Sequence, residues 1–141
     1  MLIYQDTYHE ASYRAAHISG PKSDYYARLN AADVAFQAGV PDVGSGLMLG
    51  LGPWQYDLLG VVHQQAHLLR AYNAGCRTLS LHRMRCAPGS NMQTPYPVSD
   101  SEYLRCVAIA RLAVPYAGII LTTKDNVIIN DPEGEVRHEV A

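Results

Sequence analysis

The stretch "SLHRMRC" carries two arginines, Arg83 and Arg85, two positions apart. A regular strand would put both on one face, with Ser80 and His82 on the other. Two guanidinium groups turned inward are costly unless they meet anions, and a carboxylate gripped through parallel hydrogen bonds is the natural partner. A second polar cluster follows the opening "MLIY": Gln5, Asp6, Thr7, Tyr8, His9 and Glu10 stand in a row. Alternation sends Gln5 and Thr7 one way and Asp6 the other, and the expectation is that Gln5 and Thr7 face the site interior. His63 and His67 are four apart, the spacing of two metal ligands on one helix face. Gln64 stands where a zinc protease needs Glu, however, so the pair reads as polar residues on an outer helix.

Composition narrows the function classes. The chain has 141 residues, enough for one domain with a real core, and a net charge of -2. A near-neutral surface serves neither nucleic acid nor membrane, and no apolar run approaches the roughly 20 residues that span a bilayer. Three cysteines, Cys76, Cys86 and Cys106, are widely spaced and odd in number, so neither a disulfide framework nor a CxxC site is written here. The expected location is the cytoplasm. The ten tyrosines read chiefly as caps on a half-wet core, each hydroxyl wanting a partner.

The elements that must position these residues alternate regularly. Strands are expected near residues 2–6, 43–49, 78–84 and 117–122. Helical periodicity runs over 25–40 and 55–75, with Gly39 and Gly75 as closing residues, and again after Ser99 or Asp100 as cap, where Glu102 can complete a capping box from Ser99. "PEGEVRHEVA" reads as the start of a further helix. Such β-α alternation means parallel strands joined by right-handed crossovers. Each strand delivers polar or glycine-rich residues at its C-terminal end: Gln5 to Tyr8, Gly50 to Gly52, Arg83 to Arg85, and Thr122 to Lys124. That pattern favours a (β/α) barrel mouth over a doubly wound sheet. Four strands are half of a barrel, so the fold class expected is α/β, half of a TIM-type barrel spanning residues 1–141.

"YQDTYHE", "SGPKSDYYARLNAADVAFQAGVPDVGSGLMLGL", "SLHRMRCA" and "PYPVSDSEYLRCVAIARLAVPYAGIILTT" together resemble the radical S-adenosylmethionine tyrosine lyases, in the same order and over nearly the whole chain. The likeness is nearest to the [FeFe]-hydrogenase maturation branch; the thiamine-pathway tyrosine lyase and biotin synthase are relatives. It implies the C-terminal half of the radical barrel, overlapping the region associated with biotin and thiamin synthesis. It also implies S-adenosylmethionine and a [4Fe–4S] cluster in the parent protein. The expected reaction is cleavage of the Cα–Cβ bond of tyrosine to p-cresol and dehydroglycine, the latter a source of carbon monoxide and cyanide. The alternatives are a non-catalytic remnant or an enzyme acting on another aromatic amino acid.

The family's CxxxCxxC loop is absent, and the three cysteines do not imitate it. Partners expected are therefore a small amino-acid substrate and the missing barrel half or a partner chain. By resemblance, Arg28 of "ARLNA" would hold the carboxylate of S-adenosylmethionine; without the resemblance it would pair with Asp24 or Asp33. Gln5 and Thr7 would contact the nucleoside ribose or the substrate. "GSGLMLGLG" fails as a dinucleotide fingerprint, because its glycines do not open a helix in G-x-G-x-x-G order. Gly44, Gly46 and Gly50 would instead let a flat adenine approach the backbone, or simply allow tight barrel packing. Arg83 and Arg85 would take the carboxylate of the substrate or of S-adenosylmethionine. The family usually has proline where His82 and Cys86 stand.

Overall fold

Four short apolar runs pair side by side in chain order. In the computed structural model, which describes residues 1–85 and 94–121, β1 (Leu2–Asp6), β2 (Gly44–Leu49), β3 (Thr78–Arg83) and β4 (Gly118–Leu121) form one sheet in the order β1-β2-β3-β4. Every pairing is parallel, with Leu79 opposite both Ser45 and Ile119. The strands lie within one residue of the expected spans. Thr122 to Lys124, Cys86 and the helix expected in "PEGEVRHEVA" lie outside the described residues.

Helices link the strands: α1 (Glu10–Ala16), α2 (Tyr25–Leu29) and α3 (Ala31–Gln37) between β1 and β2, then α4 (Trp54–Tyr72) and α5 (Asp100–Ala113). Strand alternation gives the sheet two unlike faces. Leu47, Leu49, Leu79 and Leu81 pack on Trp54, Leu58 and Val61 of α4 and on Tyr103, Cys106 and Ala110 of α5. Ile3 and Val43 join Ala32 and Ala35 of α3 with Leu68 and Cys76 in a second cluster. Each buried leucine contributes roughly 1.5–3 kcal/mol by leaving water. Tyr4, Gly46, Met48, Ser80 and His82 occupy the opposite parity, turned away from these helices.

Three details depart from the sequence reading. The helix expected over 25–40 breaks at Asn30, whose N–H bonds back to the carbonyls of Tyr26 and Arg28. The break lets Leu29 pack against one core and Ala32 with Ala35 against the other. Helix α1 is unforeseen because its cap is unusual: the His9 side chain accepts the Ser12 N–H. Asn73, not Gly75, takes the left-handed position closing α4, at φ 53°. Gly75 instead packs against the Tyr116 ring, whose hydroxyl a Cβ there would meet at 2.4 Å and displace. Gly39 at φ 78° follows α3 as expected, and Ser99 with Glu102 forms the capping box of α5.

Candidate functional site

A cavity of about 650 Å³ opens where β1, β2 and β3 end. Asp6, His17, Lys22, Met48, His82 and Arg85 line it. Its place follows from the parallel sheet, which brings all the strand C-termini to one end.

Asp6 is set by its backbone. The β1–β2 register slips between Tyr4 and Asp6, and Asp6 adopts φ 65°, a conformation aspartate tolerates far better than most residues. The carboxylate receives Lys22 Nζ at 2.6 Å, and His17 Nε2 lies at 3.1 Å from the same oxygen. Lys22 is held in turn through its carbonyl, which accepts the Tyr13 hydroxyl at 2.7 Å. The Tyr13 ring stacks on His17.

The structure places the expected site residues as follows. Thr7 does not face the interior. It is fully buried and donates its hydroxyl to Asp57 Oδ1 of α4 at 2.7 Å. Gln5 is buried at the bulge, its amide nitrogen turned back on the Thr7 carbonyl at 3.3 Å. Ile3 joins the helix-covered core, which leaves Tyr4 on the open side, and the bulge with the positive φ of Asp6 brings that residue to the mouth.

Arg83 lines the mouth cavity, as expected, but its guanidinium is engaged on the helix side. It shares the parity of Leu79 and Leu81, lies over the Tyr103 ring, and donates to Asp100 Oδ1 at 2.6 Å and the Val98 carbonyl at 3.3 Å. Two apolar partners on its strand outweigh the one charge in choosing the face. Arg85, past the end of β3, is exposed and lines the mouth.

Gly46 offers no open backbone to a ligand. A Cβ there would sit 2.4 Å from the Tyr4 ring, so its smallness serves packing. Gly44 is similarly closed in by Thr78 and Leu2. Gly50, at φ 105°, turns the chain out of β2, and its carbonyl accepts the Tyr96 N–H.

Arg28 is half-buried and donates Nε to the Tyr4 carbonyl at 2.6 Å. It has no ion-pair partner among the described residues. Asp24 is engaged in capping Ala27, and Asp33 receives His67 and Tyr72. The two terminal nitrogens of Arg28 have no hydrogen-bond partner among the described residues.

Asp57 was missed by the sequence reading. It is wholly buried, and its Oδ1 accepts both Thr7 Oγ1 and the Tyr8 N–H, each at 2.7 Å. Oδ2 has no partner among the described residues. Burial pushes this carboxyl up to about 6, against the lowering effect of its hydrogen bonds. An acidic residue one turn into α4, below a glycine-rich strand exit, was the available signal.

Cys76 and Cys106 are not placed to share an iron–sulfur cluster. Cys76 is buried before β3, at the end opposite the mouth, and Cys106 is buried in α5 within the other core cluster. Burial raises both thiols, Cys106 to about 12. No group of three or more His, Cys, Asp or Glu able to hold a metal ion occurs among the described residues.

A crystal structure of HydG, a maturase of the [FeFe]-hydrogenase, superposes with a TM-score of 0.85 at 37% identity, over 92% of this chain and 29% of that one. The chain is similar to that stretch of HydG. HydG from Carboxydothermus hydrogenoformans gives a TM-score of 0.84 at 35% identity, over 91% and 30%. The 2-iminoacetate synthase of Escherichia coli (strain K12) is 28% identical over 127 residues, 89% of this chain and 33% of that protein. Residues 80–131 match the Biotin and Thiamin Synthesis associated domain. The chain thus spans about a third of the length of these relatives, and its four strands and their helices are half of a TIM-type barrel. No helix among the described residues is long and apolar enough to cross a membrane.

Proposed function

We propose that the chain supplies the ligand-holding half of a radical S-adenosylmethionine lyase that cleaves the Cα–Cβ bond of tyrosine to p-cresol and dehydroglycine. The observation that carries this reading is Arg28, half-buried and donating Nε to the Tyr4 carbonyl of β1, the strand whose end brings Asp6 to a mouth that Lys22 and Arg85 also line, its outer guanidinium edge without a partner among the described residues. Such an edge takes a carboxylate through two charge-assisted hydrogen bonds. In this reading Arg28 holds the carboxylate of S-adenosylmethionine, Arg85 takes that of the amino acid, and Gly50 shapes the β2 exit beside them. S-adenosylmethionine with its cluster supplies the radical chemistry when bound. This chain binds and orients, while the cluster ligands belong to the other half of the barrel or to a partner chain.

Arg28→Ala is expected to weaken S-adenosylmethionine binding about 30-fold, the equivalent of one bidentate charge-assisted pair. Arg28→Lys should restore only part of it, because an ammonium cannot grip both oxygens in one plane. Calorimetric titration of the purified chain measures both. Unchanged affinity in Arg28→Ala would remove the reading's main support.

A further inference from the structure

On the open face of the sheet, Tyr4, Ser80 and His82 form a closed triangle. The Tyr4 hydroxyl lies 2.8 Å from Ser80 Oγ and 3.1 Å from His82 Nε2, and Ser80 Oγ lies 2.8 Å from the same nitrogen. The Tyr4 ring reaches across Gly46 to do this and meets the imidazole edge-on at 5.3 Å between centroids. In register, Tyr4, Gly46 and Ser80 form one layer, and Met48 with His82 forms the next towards the mouth.

A proton on Nε2 serves all three edges: Nε2–H is shared between the two oxygens, and the Tyr4 hydroxyl donates to Ser80. Without that proton, the Tyr4 hydroxyl can donate to Ser80 and Ser80 to Nε2, but the 3.1 Å edge between Tyr4 and Nε2 then carries no hydrogen. All three edges carry a hydrogen only in the Nε2–H tautomer, which leaves Nδ1 an acceptor. Nδ1 has no partner among the described residues, and His82 lines the mouth cavity. Around it the lining is apolar and polarisable, with Met48, Leu51 and Met84, a surface suited to an aromatic ring. Lys22 and Arg85 place positive charge on the same cavity.

We infer that His82 determines specificity in the mouth: its Nδ1 accepts the phenolic hydroxyl of the substrate, while Tyr4 and Ser80 hold the ring in the required tautomer. This rests on the tyrosine reading above and adds the residue that distinguishes tyrosine from phenylalanine. A site built to bond a hydroxyl rejects the analogue lacking it, because the site's own polar group is then left unpaired.

The test is titration of the ¹⁵N-histidine-labelled chain with L-tyrosine and, separately, L-phenylalanine, followed by NMR, alongside His82→Ala and Tyr4→Phe. The expected results are an Nε2–H tautomer in the free protein and a shift of Nδ1 with tyrosine only. The tyrosine preference should be at least tenfold and be abolished in His82→Ala, with phenylalanine affinity unchanged. Tyr4→Phe keeps the ring over Gly46 and should reduce the preference while leaving the fold intact. If tyrosine perturbs the Met48 methyl but not His82 Nδ1, or His82→Ala keeps the preference, the His82 assignment is overturned and the mouth remains the binding site. If neither amino acid perturbs any mouth resonance, the tyrosine reading fails and the assignment with it.

Discussion

Reconstituted anaerobically with iron and sulfide and then reduced with S-adenosylmethionine and tyrosine present, this chain alone should yield no 5′-deoxyadenosine or p-cresol above a protein-free control. A [4Fe–4S] cluster that leaves one iron open needs three thiolates converging on it. Cys76 and Cys106 belong to separate core clusters, both buried, with their thiols held in the protonated form. Whatever Cys86 does, two of the three sulfurs cannot meet it without dismantling a core that each of them fills. Co-expression with a chain bearing a CxxxCxxC loop and the complementary strands should restore both products. Product from the single chain would show that the cluster is built here after all.

The second large effect concerns stability. Asp57→Ala should lower the unfolding free energy by about 3 kcal/mol, because it strands two buried donors, the Thr7 hydroxyl and the Tyr8 N–H. Asp57→Asn should behave differently. The carboxyl titrates near 3.8 when unfolded and is raised to about 6 in the fold, so the folded state binds the extra proton. Stability from this group is therefore fully present below the unfolded value and is lost as pH rises through about 6, a change of roughly 3 kcal/mol. Asn keeps an acceptor oxygen for Thr7 and Tyr8 but cannot ionise, so its curve should lack that decline. Urea unfolding between pH 4 and 7 separates the three proteins. A wild-type curve that rises over this range while Asp57→Asn stays flat would refute the assignment.

The strands were legible because each apolar run stops at glycine, proline or charge, and those stops coincide with the sheet's ends. Side-chain direction was harder. Leu79 and Leu81 anchor β3 to the helix layer, and Arg83, of the same parity, meets Tyr103 and Asp100 there while lining the mouth, whereas Thr7 is drawn to Asp57 of α4. That rule was present in the sequence, but the pull of two nearby arginines towards an anion argued the other way. The Arg83–Asp100 pair joins positions 17 residues apart across the α5 cap, and no local pattern announces it. Asp57 was hidden for the same reason: its partners, Thr7 and Tyr8, lie some 50 positions earlier and meet it only after the first crossover closes.

Asp6 combines a positive φ with the charge that Lys22 and His17 face. Those two demands admit different substitutes. Glutamate would keep the charge but resists the left-handed backbone; asparagine accepts the backbone and carries no charge. Drift at this position is thus channelled towards the residue that spares the fold and silences the mouth. A lineage could lose its rim carboxylate in one step with no folding defect to expose the loss. Retention of aspartate across related chains would then report selection on chemistry, and Asp6→Asn would reveal it as a protein that melts normally but no longer orders Lys22.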